Sequence, residues 1–450
     1  MLRHLQRRRS ELEDTARALY DEVFDCLRTH HGIFRCAIPL IASENVPSPA
    51  VREALATDFG NRYAEGWVGE RVYAGCSMID RVEKICINAF RKLYEAEFVD
   101  PRPISGVMAN LVAFTAFTDH GDTVMALPIT CGGHMSVGPK RLGGAAGAVM
   151  GLDVEYLPFD HDELNIDVDT TIKKLKRLES EGKHVKMAVF GASVFPFPHP
   201  LKELREAFYD YGVKACYDAA HVAGLIAGKR FQDPLREGAD IVTLSTHKTL
   251  FGPQHGAVLS WDRYAEDIKR ATMPGLVSNH HLHALAGVAV ALTEMMAFGE
   301  EYASQVVRNA RALGQALHEQ GFKVLGERKG FTESHTLLLD VTGNGCGAYV
   351  ERTLEESGII VNRNLLPWDI REGRHYKDPG GIRLGVSEVT RIGFNENTLR
   401  EVAELIHRSV IKKEDPEQVR KDVEALRKDY QKVHYCYENR RNAYEYVTLR

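Results

Sequence analysis

The alternation of two kinds of segment between about residues 95 and 275 most constrains the fold of this chain. Short runs rich in β-branched and apolar residues, such as 123–127 and 187–190, are separated by stretches of helical periodicity, such as 169–181 and 201–211. This alternation predicts a parallel or mostly parallel sheet with helices on both faces. In such sheets the loops at the carboxyl ends of the strands form the binding site.

Composition places the chain among ordinary globular proteins. Of its 450 residues, 44% are hydrophobic and 26% are charged, which fits a protein with two or three structural units. The formal net charge of −5 gives no reason to expect nucleic acid or a membrane surface as a partner. The eight cysteines are scattered without a C-x-x-C pair. Neither a zinc site nor a disulfide framework is therefore indicated, and a reducing compartment fits best.

The N-terminal segment, from residue 1 to about 35, predicts a helix followed by a connector, because Leu12, Ala16 and Leu19 continue one apolar stripe. The arginines at its start are also compatible with a targeting peptide. Glu11 and Glu13 follow at once, which favours an ordinary helix. No uninterrupted apolar run reaches the roughly 18 residues that a membrane-spanning helix needs. We therefore expect a cytoplasmic protein.

Lys248 and Asp218 each follow a predicted strand, as does Ser193. Lys248 stands among hydroxyl-bearing residues, in Ser-Thr-His-Lys-Thr at 245–249. A lysine with a depressed pKa can form a Schiff base with an aldehyde cofactor. An aspartate at another strand end can keep the ring nitrogen of pyridoxal phosphate protonated. The pair alone is a weak signal, since most lysines are solvated at the surface.

Two further features predict the binding of anionic groups. Ser105 and Gly106 precede a helix-like run, and a helix N-terminus with a close backbone approach suits a phosphate. Arg383 lies inside the apolar run Gly-Ile-Arg-Leu-Gly at 381–385, which predicts a short buried strand. A buried arginine is costly unless it is paired. Its expected partner is either a structural carboxylate or the carboxylate of an amino-acid substrate.

The histidines His280, His281 and His283 could indicate a metal site. No carboxylate or cysteine nearby in the sequence completes a set of ligands, and a long helical stretch continues to about residue 320. We therefore predict no metal.

A series of motifs, in a fixed order between about residues 38 and 410, resembles the serine hydroxymethyltransferase family. The motifs are Leu-Ile-Ala-Ser-Glu-Asn at 40–45, Arg-Tyr-Ala-Glu-Gly at 62–66, Arg-Val-Tyr-Ala-Gly-Cys at 71–76, Ser-Gly at 105–106, Gly-Gly-His at 132–134, Asp-Ala-Ala-His at 218–221, Ser-Thr-His-Lys-Thr at 245–249 and Gly-Ile-Arg-Leu-Gly at 381–385. The segments 195–200, 278–283 and 364–369 resemble the archaeal branch of that family.

The resemblance implies the aspartate-aminotransferase-like fold (fold type I) of pyridoxal-phosphate enzymes, with a mostly parallel seven-stranded sheet and a small α+β C-terminal domain. The expected division is an N-terminal helix and arm at 1–50, a large cofactor-binding domain at 51–300, the small domain at 301–412 and a tail at 413–450. We expect the tyrosines of the tail to pack against the body, with a partner-binding tail as the alternative. The resemblance also implies a homodimer with shared active sites, and leaves a tetramer open.

The activity that the resemblance implies is reversible transfer of the hydroxymethyl group of serine to a tetrahydropterin, which leaves glycine. The pterin is tetrahydrofolate or tetrahydromethanopterin, and the cofactor is pyridoxal phosphate. Lys248 would anchor this cofactor, Asp218 would pair with its ring nitrogen, and His134 would stack on its ring. Val107 replaces a second serine that the family commonly has, so one phosphate hydroxyl fewer is expected. The cofactor-binding set is Ser105, Gly106, Val107, His134, Ser193, Asp218, His221, Ser245, His247, Lys248, Ser278 and Asn279.

The same resemblance assigns the remaining roles. Arg383 and Ser43 would hold the substrate carboxylate. Glu65, Tyr63 and Tyr73 would come from the neighbouring subunit. The catalytic residues are then Lys248, Glu65, His134, Tyr73 and Tyr63; the substrate-binding residues are Ser43, Arg383, Tyr73, Glu65 and His221; the pterin-binding residues are Glu65, Ile129, Met135 and Asn364.

Other activities can use the same residues. A threonine aldolase or L-threonine transaldolase needs no pterin, and an α-methylserine-type hydroxymethyltransferase needs only more space beside the α-carbon. The presence of Glu65, Tyr63 and Asn364 favours the pterin-dependent transfer. A non-enzymatic relative is expected to lose Lys248, Asp218 or Arg383, and all three are present.

Overall fold

The structure, a computed structural model, describes residues 2–449. For residues 2–8 and 10 it describes the backbone but not the side chains. The targeting-peptide alternative rested on the N-terminal arginines. Of these, the arginines at 3, 7 and 8 lie outside the described side chains. The helices are α1 (Leu2–Cys36), α2 (Pro49–Leu55), α3 (Ser77–Tyr94), α4 (Gly106–Phe117), α5 (Ala145–Ala148), α6 (Val168–Ser180), α7 (Leu201–Asp210), α8 (Ala223–Ala227), α9 (Pro234–Glu237), α10 (Ala265–Arg270), α11 (Leu282–Glu319), α12 (Cys346–Glu356), α13 (Ser387–Arg391), α14 (Glu396–Val410) and α15 (Pro416–Arg427). The strands are β1 (Ile38–Pro39), β2 (Gly66–Trp67), β3 (Glu70–Arg71), β4 (Phe98–Asp100), β5 (Thr123–Ala126), β6 (Asp153–Tyr156), β7 (Phe159–Asp160), β8 (Asn165–Ile166), β9 (Val185–Phe190), β10 (Lys214–Asp218), β11 (Ile241–Ser245), β12 (Gly256–Ser260), β13 (Lys323–Val324), β14 (Thr336–Asp340), β15 (Ile359–Ile360), β16 (Asn362–Asn364) and β17 (Gly381–Gly385).

Seven strands form the central sheet, in the order β4-β12-β11-β10-β9-β5-β6. Strand β12 runs antiparallel to both of its neighbours, and the other pairs in the sheet are parallel. Strands β9, β10 and β11 are almost wholly buried, as expected where helices cover both faces of a parallel sheet. The predicted mostly parallel seven-stranded sheet is confirmed.

Helix α11 packs against α2, α3 and α14 and so joins the two halves of the molecule. By length and composition alone it could cross a membrane, which is an exception to the expectation from the sequence. However, 61% of its apolar window is buried inside the fold, as in the core helix of a soluble protein, so no membrane is implied. The predicted domain boundary at residue 300 falls inside α11 and stays a prediction.

A four-stranded antiparallel sheet, in the order β13-β14-β17-β16, lies in the C-terminal part. All five residues of β17 are buried, which confirms the strand predicted at 381–385. Strand β15 pairs in parallel with β1 instead of joining this sheet. Beside that pair, Gly385 N donates to Leu40 O at 2.8 Å, which brings the motif at 40–45 next to β17.

The tyrosine-rich tail packs against the body, as the sequence predicted. Tyr444 is buried, and its hydroxyl donates to Glu388 Oε1 at 2.6 Å. Its carbonyl oxygen accepts from His31 Nδ1 of α1 at 2.9 Å. The tail therefore joins α1 to α13. Helix α1 ends at Cys36 and so also includes the connector that was predicted before about residue 35.

Candidate active site

The strand ends singled out in the sequence open on one edge of the central sheet. Asp218 is the last residue of β10, Ser193 lies three residues beyond β9, and Lys248 lies three residues beyond β11. These strands are adjacent and parallel, so their carboxyl ends point to the same side. The fold thereby places an amine and a carboxylate at one edge.

Lys248 is buried beside a hydroxyl group. Its exposed fraction is 8%, and Nζ donates to Ser245 Oγ at 3.3 Å. Burial lowers the pKa of Lys248 to about 8; Asp218 opposes this shift and Arg383 adds to it. A fraction of the amine is therefore unprotonated near neutral pH, which formation of a Schiff base requires.

Asn45 fixes the backbone at Lys248, a role that the sequence did not indicate. Its Nδ2 donates to Lys248 O at 2.8 Å and lies 2.9 Å from the hydroxyl oxygen of Tyr302. Asn45 closes the motif at 40–45, so the missed signal was a polar residue at the end of a segment already matched to the family. This contact couples the N-terminal arm to the lysine loop.

Asp218 is held in place by a second residue that the sequence did not indicate, Asn110 on α4. Asn110 Nδ2 donates to Asp218 Oδ2 at 2.8 Å, and Ala220 N donates to Oδ1 at 3.0 Å. Thr243 Oγ1 donates to Asn110 Oδ1 at 2.6 Å, which sets the orientation of the amide. Each carboxylate oxygen keeps a lone pair that can accept a proton donor. A buried asparagine on an otherwise apolar helix was the available signal.

The same amide leads to His134. Asn110 Nδ2 donates to Ser136 Oγ at 2.8 Å, and Ser136 Oγ lies 2.8 Å from His134 Nδ1. Ser136 N also donates to Nδ1 at 3.1 Å. Burial lowers the pKa of His134 despite the opposing influence of Asp218. Because donors converge on Nδ1, the neutral ring carries its proton on Nε2.

Helix α4 begins at the predicted phosphate turn. Ser105 is its N-cap, and Ser105 Oγ accepts from Met108 N at 3.2 Å. A Cβ atom on Gly106 would lie 2.3 Å from Ser245 Oγ, so a larger residue would displace the hydroxyl that lies beside Lys248 Nζ. Val107 is 38% exposed in the first turn and offers a backbone N–H alone. The free N–H groups at this helix start can bind a phosphate.

Arg383 is buried without a carboxylate partner. Its Nη1 donates to Ser193 O at 2.7 Å and its Nε donates to Asn362 Oδ1 at 3.1 Å. Among the described side chains, no acidic oxygen lies within 4.0 Å of the guanidinium, so the structural salt bridge considered above is not found. Burial lowers the pKa of Arg383 to about 10, with Glu44 opposing. Only neutral oxygens surround a buried charge, which leaves it open to the carboxylate of a ligand.

Two further residues of the predicted substrate-binding set are His221 and Ser43. His221 is buried and stacks on His335, with ring centroids 5.6 Å apart. Burial lowers the pKa of His221 well below its ordinary value, and Lys248 adds to this. Ser43 is half-buried in the turn after β1, on the arm that β17 contacts. His335 carried no role in the sequence prediction.

His247 does not share the surroundings of Lys248. It lines a cavity of about 620 Å³ together with Asn45 and Glu388, and Lys248 and Arg383 do not line that cavity. Burial lowers the pKa of His247 to about 3, and its Nδ1 has no hydrogen-bond partner among the described residues. The cofactor contact predicted for His247 stays a prediction. The chemistry of the strand ends, not this cavity, identifies the site.

Glu65, Tyr63 and Tyr73 are not joined to the Lys248 site within one chain. Among residues 2–449, none of the three makes a side-chain hydrogen bond, ion pair or ring contact with it. The rings of Tyr63 and Tyr73 lie 4.8 Å apart and are 45% and 46% exposed. Tyr63 OH lies 3.5 Å from Ser278 Oγ. Their contribution to a neighbouring subunit stays a prediction.

The turn at Ser278 and Asn279 contacts the same segment. Asn279 Oδ1 accepts from Ala64 N at 2.9 Å, and Asn279 Nδ2 donates to Arg62 O at 3.2 Å. Within one chain Asn279 therefore orders the segment that carries Glu65. The cofactor contacts expected of this turn stay a prediction.

The residues expected to bind the pterin lie on two loops. Ile129 is half-buried in the turn after β5, and Met135 is 44% exposed. Asn364 ends β16, and its Nδ2 donates to Leu365 O at 2.8 Å. A narrow crevice, lined by Thr130, Cys131, Leu365 and Pro367 among others, joins the two loops. The pterin contacts themselves stay a prediction.

Pyridoxal phosphate fits the groups that the strand ends supply. Lys248 offers an amine for its aldehyde, Asp218 a carboxylate with free lone pairs for its ring nitrogen, and the start of α4 an N-terminus for its phosphate. His134 is a neutral ring suited to stacking. The close packing at Gly106 holds the helix start against β11.

One family model and several known proteins are similar to this chain over most of its length. The family model described as serine hydroxymethyltransferase matches residues 17–406. The serine hydroxymethyltransferase of Nitrosopumilus maritimus is 54% identical over 431 residues, which cover 96% of this chain and 98% of that protein. That of Korarchaeum cryptofilum is 56% identical over 434 residues, 95% of this chain and 99% of that protein. An L-threonine transaldolase from Pseudomonas fluorescens, solved in its internal aldimine state, has a TM-score of 0.83 at 28% identity and covers 95% of this chain and 96% of that one.

These comparisons confirm two predictions from the sequence. The relatives are archaeal, as the segments at 195–200, 278–283 and 364–369 indicated. The structural neighbour shares the fold expected of a type I pyridoxal-phosphate enzyme. By the match over most of its length, the chain belongs to the serine hydroxymethyltransferase family.

Proposed function

We propose that the protein is a pyridoxal-phosphate-dependent serine hydroxymethyltransferase that reversibly transfers the hydroxymethyl group of serine to a tetrahydropterin and leaves glycine. The observation that carries the proposal is that two buried cations, Lys248 and Arg383, lie near the same edge of the central sheet. Lys248, with a pKa of about 8, offers an amine that can be neutral. Arg383 lacks a carboxylate and so offers a site for that of an amino acid.

Bound pyridoxal phosphate would supply an electron sink for negative charge on the α-carbon of the amino acid. Asp218, oriented by Asn110, would keep the ring nitrogen protonated. His134 would present a neutral ring with its proton on Nε2. Arg383 and Ser43 would fix the carboxylate of the substrate, and Glu65 would move a proton at the hydroxyl of the hydroxymethyl group, which departs as the one-carbon unit.

The assembly that we propose is a homodimer in which Glu65, Tyr63 and Tyr73 serve the site of the partner subunit. Exposed apolar residues support this proposal, because contiguous exposed apolar surface marks an interface. Val72, between the proposed shared residues, is 75% exposed. Helix α1 presents an exposed apolar stripe formed by Leu12, Leu19, Val23 and Leu27.

The carrier of the one-carbon unit is proposed to be tetrahydrofolate or tetrahydromethanopterin. Glu65, Ile129, Met135 and Asn364 would line its site. We place this enzyme in the cytoplasm, as the composition led us to expect, with the cofactor site in residues 51–300.

A second candidate function is L-threonine transaldolase. It is favoured by one observation, the close structural match to an L-threonine transaldolase. That neighbour is 28% identical, whereas the hydroxymethyltransferase relatives are 54% and 56% identical, so the hydroxymethyltransferase is the first choice.

One assay separates the two functions. The purified holoenzyme is incubated with L-serine, and in parallel with L-threonine and a second aldehyde, each with and without each pterin, and glycine and threonine are measured by mass spectrometry. The proposed function predicts rapid formation of glycine that depends on a pterin. Consumption of L-threonine with a second aldehyde, at a rate indifferent to any pterin, would instead establish the transaldolase.

A further inference from the structure

A buried charge cluster lies beside the segment that carries Glu65. Glu83 on α3 is fully buried, and its carboxylate faces three basic side chains. Arg71 Nη2 lies 2.5 Å and His280 Nε2 3.3 Å from Oε2, while Arg102 Nη2 donates to Oε1. His280 Nε2 lies within ion-pair distance of this carboxylate but makes no well-aligned hydrogen bond to it. One carboxylate thus connects three separate parts of the chain.

Arg71 links Glu83 to the backbone on either side of Glu65. Its Nη1 donates to Ala64 O at 2.7 Å and to Gly66 O at 2.5 Å. These two carbonyl groups flank Glu65 in the chain. A shift of the Arg71 guanidinium would therefore move the backbone from which the Glu65 side chain extends.

His280 links Glu83 to the same segment from the opposite direction in the sequence. It adjoins Asn279, whose side chain bonds to Ala64 N and Arg62 O. The 62–66 segment is therefore fixed by two routes that meet at Glu83. Arg71 is also held by Asp80, whose Oδ1 accepts from Arg71 Nε at 2.8 Å.

The charges of the cluster favour a geometric role over a contribution to stability. Burial acts to raise the pKa of Glu83, but its basic neighbours outweigh burial and lower that pKa to about 2. Arg102 also pairs with Asp100 at 2.9 Å and lies 3.8 Å from the ring centroid of Trp67. Buried ion groups of this kind add little net stability, because the cost of removing the charges from water offsets their attraction.

We propose that Glu83 is a positioning residue: through Arg71 and His280 it fixes the 62–66 segment against the 278–280 turn, and so holds Glu65 and Tyr63 where the reaction needs them. This inference rests on the proposed function. Among the described residues, Glu83 pairs with Arg71, Arg102 and His280 and with no residue that we assign to contact with the reacting groups.

The first test is Glu83→Gln, which keeps the shape of the side chain and removes its charge. Since misplacement of a reacting group by about 1 Å costs about 100-fold in rate, we expect kcat of the holoenzyme with serine and tetrahydrofolate to fall by that order. KM for serine should stay within about threefold, since the Arg383 site is untouched. Glu83→Asp, which retains the charge, should recover part of the loss.

Glu294→Gln is the matched control. It breaks another fully buried ion pair, Glu294 with Arg391 at 2.8 Å. We expect it to lower stability without a change in kcat of the folded enzyme. An equal loss of kcat in both variants would overturn the positioning role, because it would reduce Glu83 to a general stabiliser.

The second test measures the activity of mixed dimers. A purely structural role of Glu83 would not restore activity in them. Glu83→Gln protomers are refolded or exchanged with Lys248→Ala protomers, each inactive or weak alone. If Glu83 acts on residues given to the partner, each hybrid contains one native site, and random mixing restores about a quarter of the wild-type activity. Mixed dimers of Glu65→Gln and Lys248→Ala protomers should regain the same activity. Mixed dimers of Arg383→Met and Lys248→Ala protomers should regain none, because Arg383 and Lys248 serve the same site of one subunit.

The outcomes separate this inference from the proposed function. A wild-type enzyme without pterin-dependent glycine formation overturns the function. An active wild type with an equally active Glu83→Gln variant overturns the inference alone, as does failure of the Glu83→Gln hybrid where the Glu65→Gln hybrid succeeds. If Glu83→Gln does not fold, His280→Asn removes one route only and should lower kcat by about tenfold; an unchanged kcat would overturn the proposal.

Discussion

Two buried arginines eight residues apart in the chain, Arg383 on β17 and Arg391 on α13, have opposite surroundings. Arg391 is fully buried and pairs with Glu294 at 2.8 Å, and its guanidinium lies 3.7 Å from the ring centroid of Phe251. Arg383 is 8% exposed and meets a carbonyl and an amide oxygen. A structural arginine carries its counter-ion within the fold. An arginine that leaves that place empty is available to a ligand.

The largest expected effect is on the activity of Arg383→Met. Loss of one partner of a buried charge pair costs about 3–5 kcal/mol, so kcat/KM for serine should fall by about three orders of magnitude. The free energy of unfolding without substrate should be equal to that of the wild type or higher, because an unpaired buried charge is removed. Steady-state kinetics and urea unfolding measure the two quantities. A loss of stability with little loss of activity would instead make Arg383 a structural arginine.

Arg391→Met should show the reverse pattern. Its removal leaves Glu294 buried without a partner, which should lower the free energy of unfolding by about 3–5 kcal/mol. Activity per folded molecule should stay within about threefold of the wild type. The double variant Arg391→Met/Glu294→Met should regain most of the stability, and its failure to do so would show that the ion pair is not the cause.

Lys248 is a third buried cation, and its lowered pKa predicts that the free energy of unfolding depends on pH. Its pKa is lowered from 10.5 to about 8 in the folded protein. Between these pH values the unfolded chain binds more protons than the folded one, so the free energy of unfolding rises with pH in that window. Below pH 8 the full cost of burying the charge is present. Relative to Lys248→Met, the cofactor-free wild type should gain about 3 kcal/mol from pH 8 to pH 10.5. A difference independent of pH, in urea titrations, would contradict the shift.

Substrate should stabilise the two arginine variants differently. Serine at about 100 times its Kd adds about 2.7 kcal/mol to the free energy of unfolding of a protein that binds it. We expect this gain in the wild-type holoenzyme and in Arg391→Met. Arg383→Met at the same serine concentration should gain almost nothing. Thermal unfolding with and without serine makes the measurement, and an equal gain in both variants would remove the distinction between the arginines.

The smallest effect concerns Asn362, which orients Arg383 through Nε. Asn362→Ala removes one hydrogen bond to a charged group, worth about 1.5 kcal/mol. KM for serine should rise by about tenfold, with kcat little changed. A fall in kcat without a change in KM would assign Asn362 to the reaction and not to binding of the carboxylate.

The sequence was sufficient for features that are local in the chain. The strand ends at Ser193, Asp218 and Lys248 follow apolar runs whose meaning depends on a few neighbours, and the buried strand around Arg383 is equally local. The motifs supplied the family because their order extends over most of the chain.

The contacts that fix these residues could not be predicted in the same way. Asn110 and Asp218 are 108 residues apart in the chain, and Asn45 and Lys248 are 203 apart, so only the folded chain brings them together. The pairing of β15 with β1 involves two residues from each strand, too few to show a period. That Arg383 lacks a carboxylate is likewise a property of the packed fold, since glutamates and aspartates are common throughout the sequence.

The most direct test of the account is the binding of L-serine and of serinol, which replaces the carboxylate by a hydroxymethyl group, to the holoenzyme by isothermal titration calorimetry. We predict that the wild type and Arg391→Met bind serine at least about 100-fold more tightly than serinol, and that Arg383→Met loses this preference. An Arg383→Met enzyme that still prefers serine as strongly as the wild type would contradict the claim that the unpaired arginine is the carboxylate site.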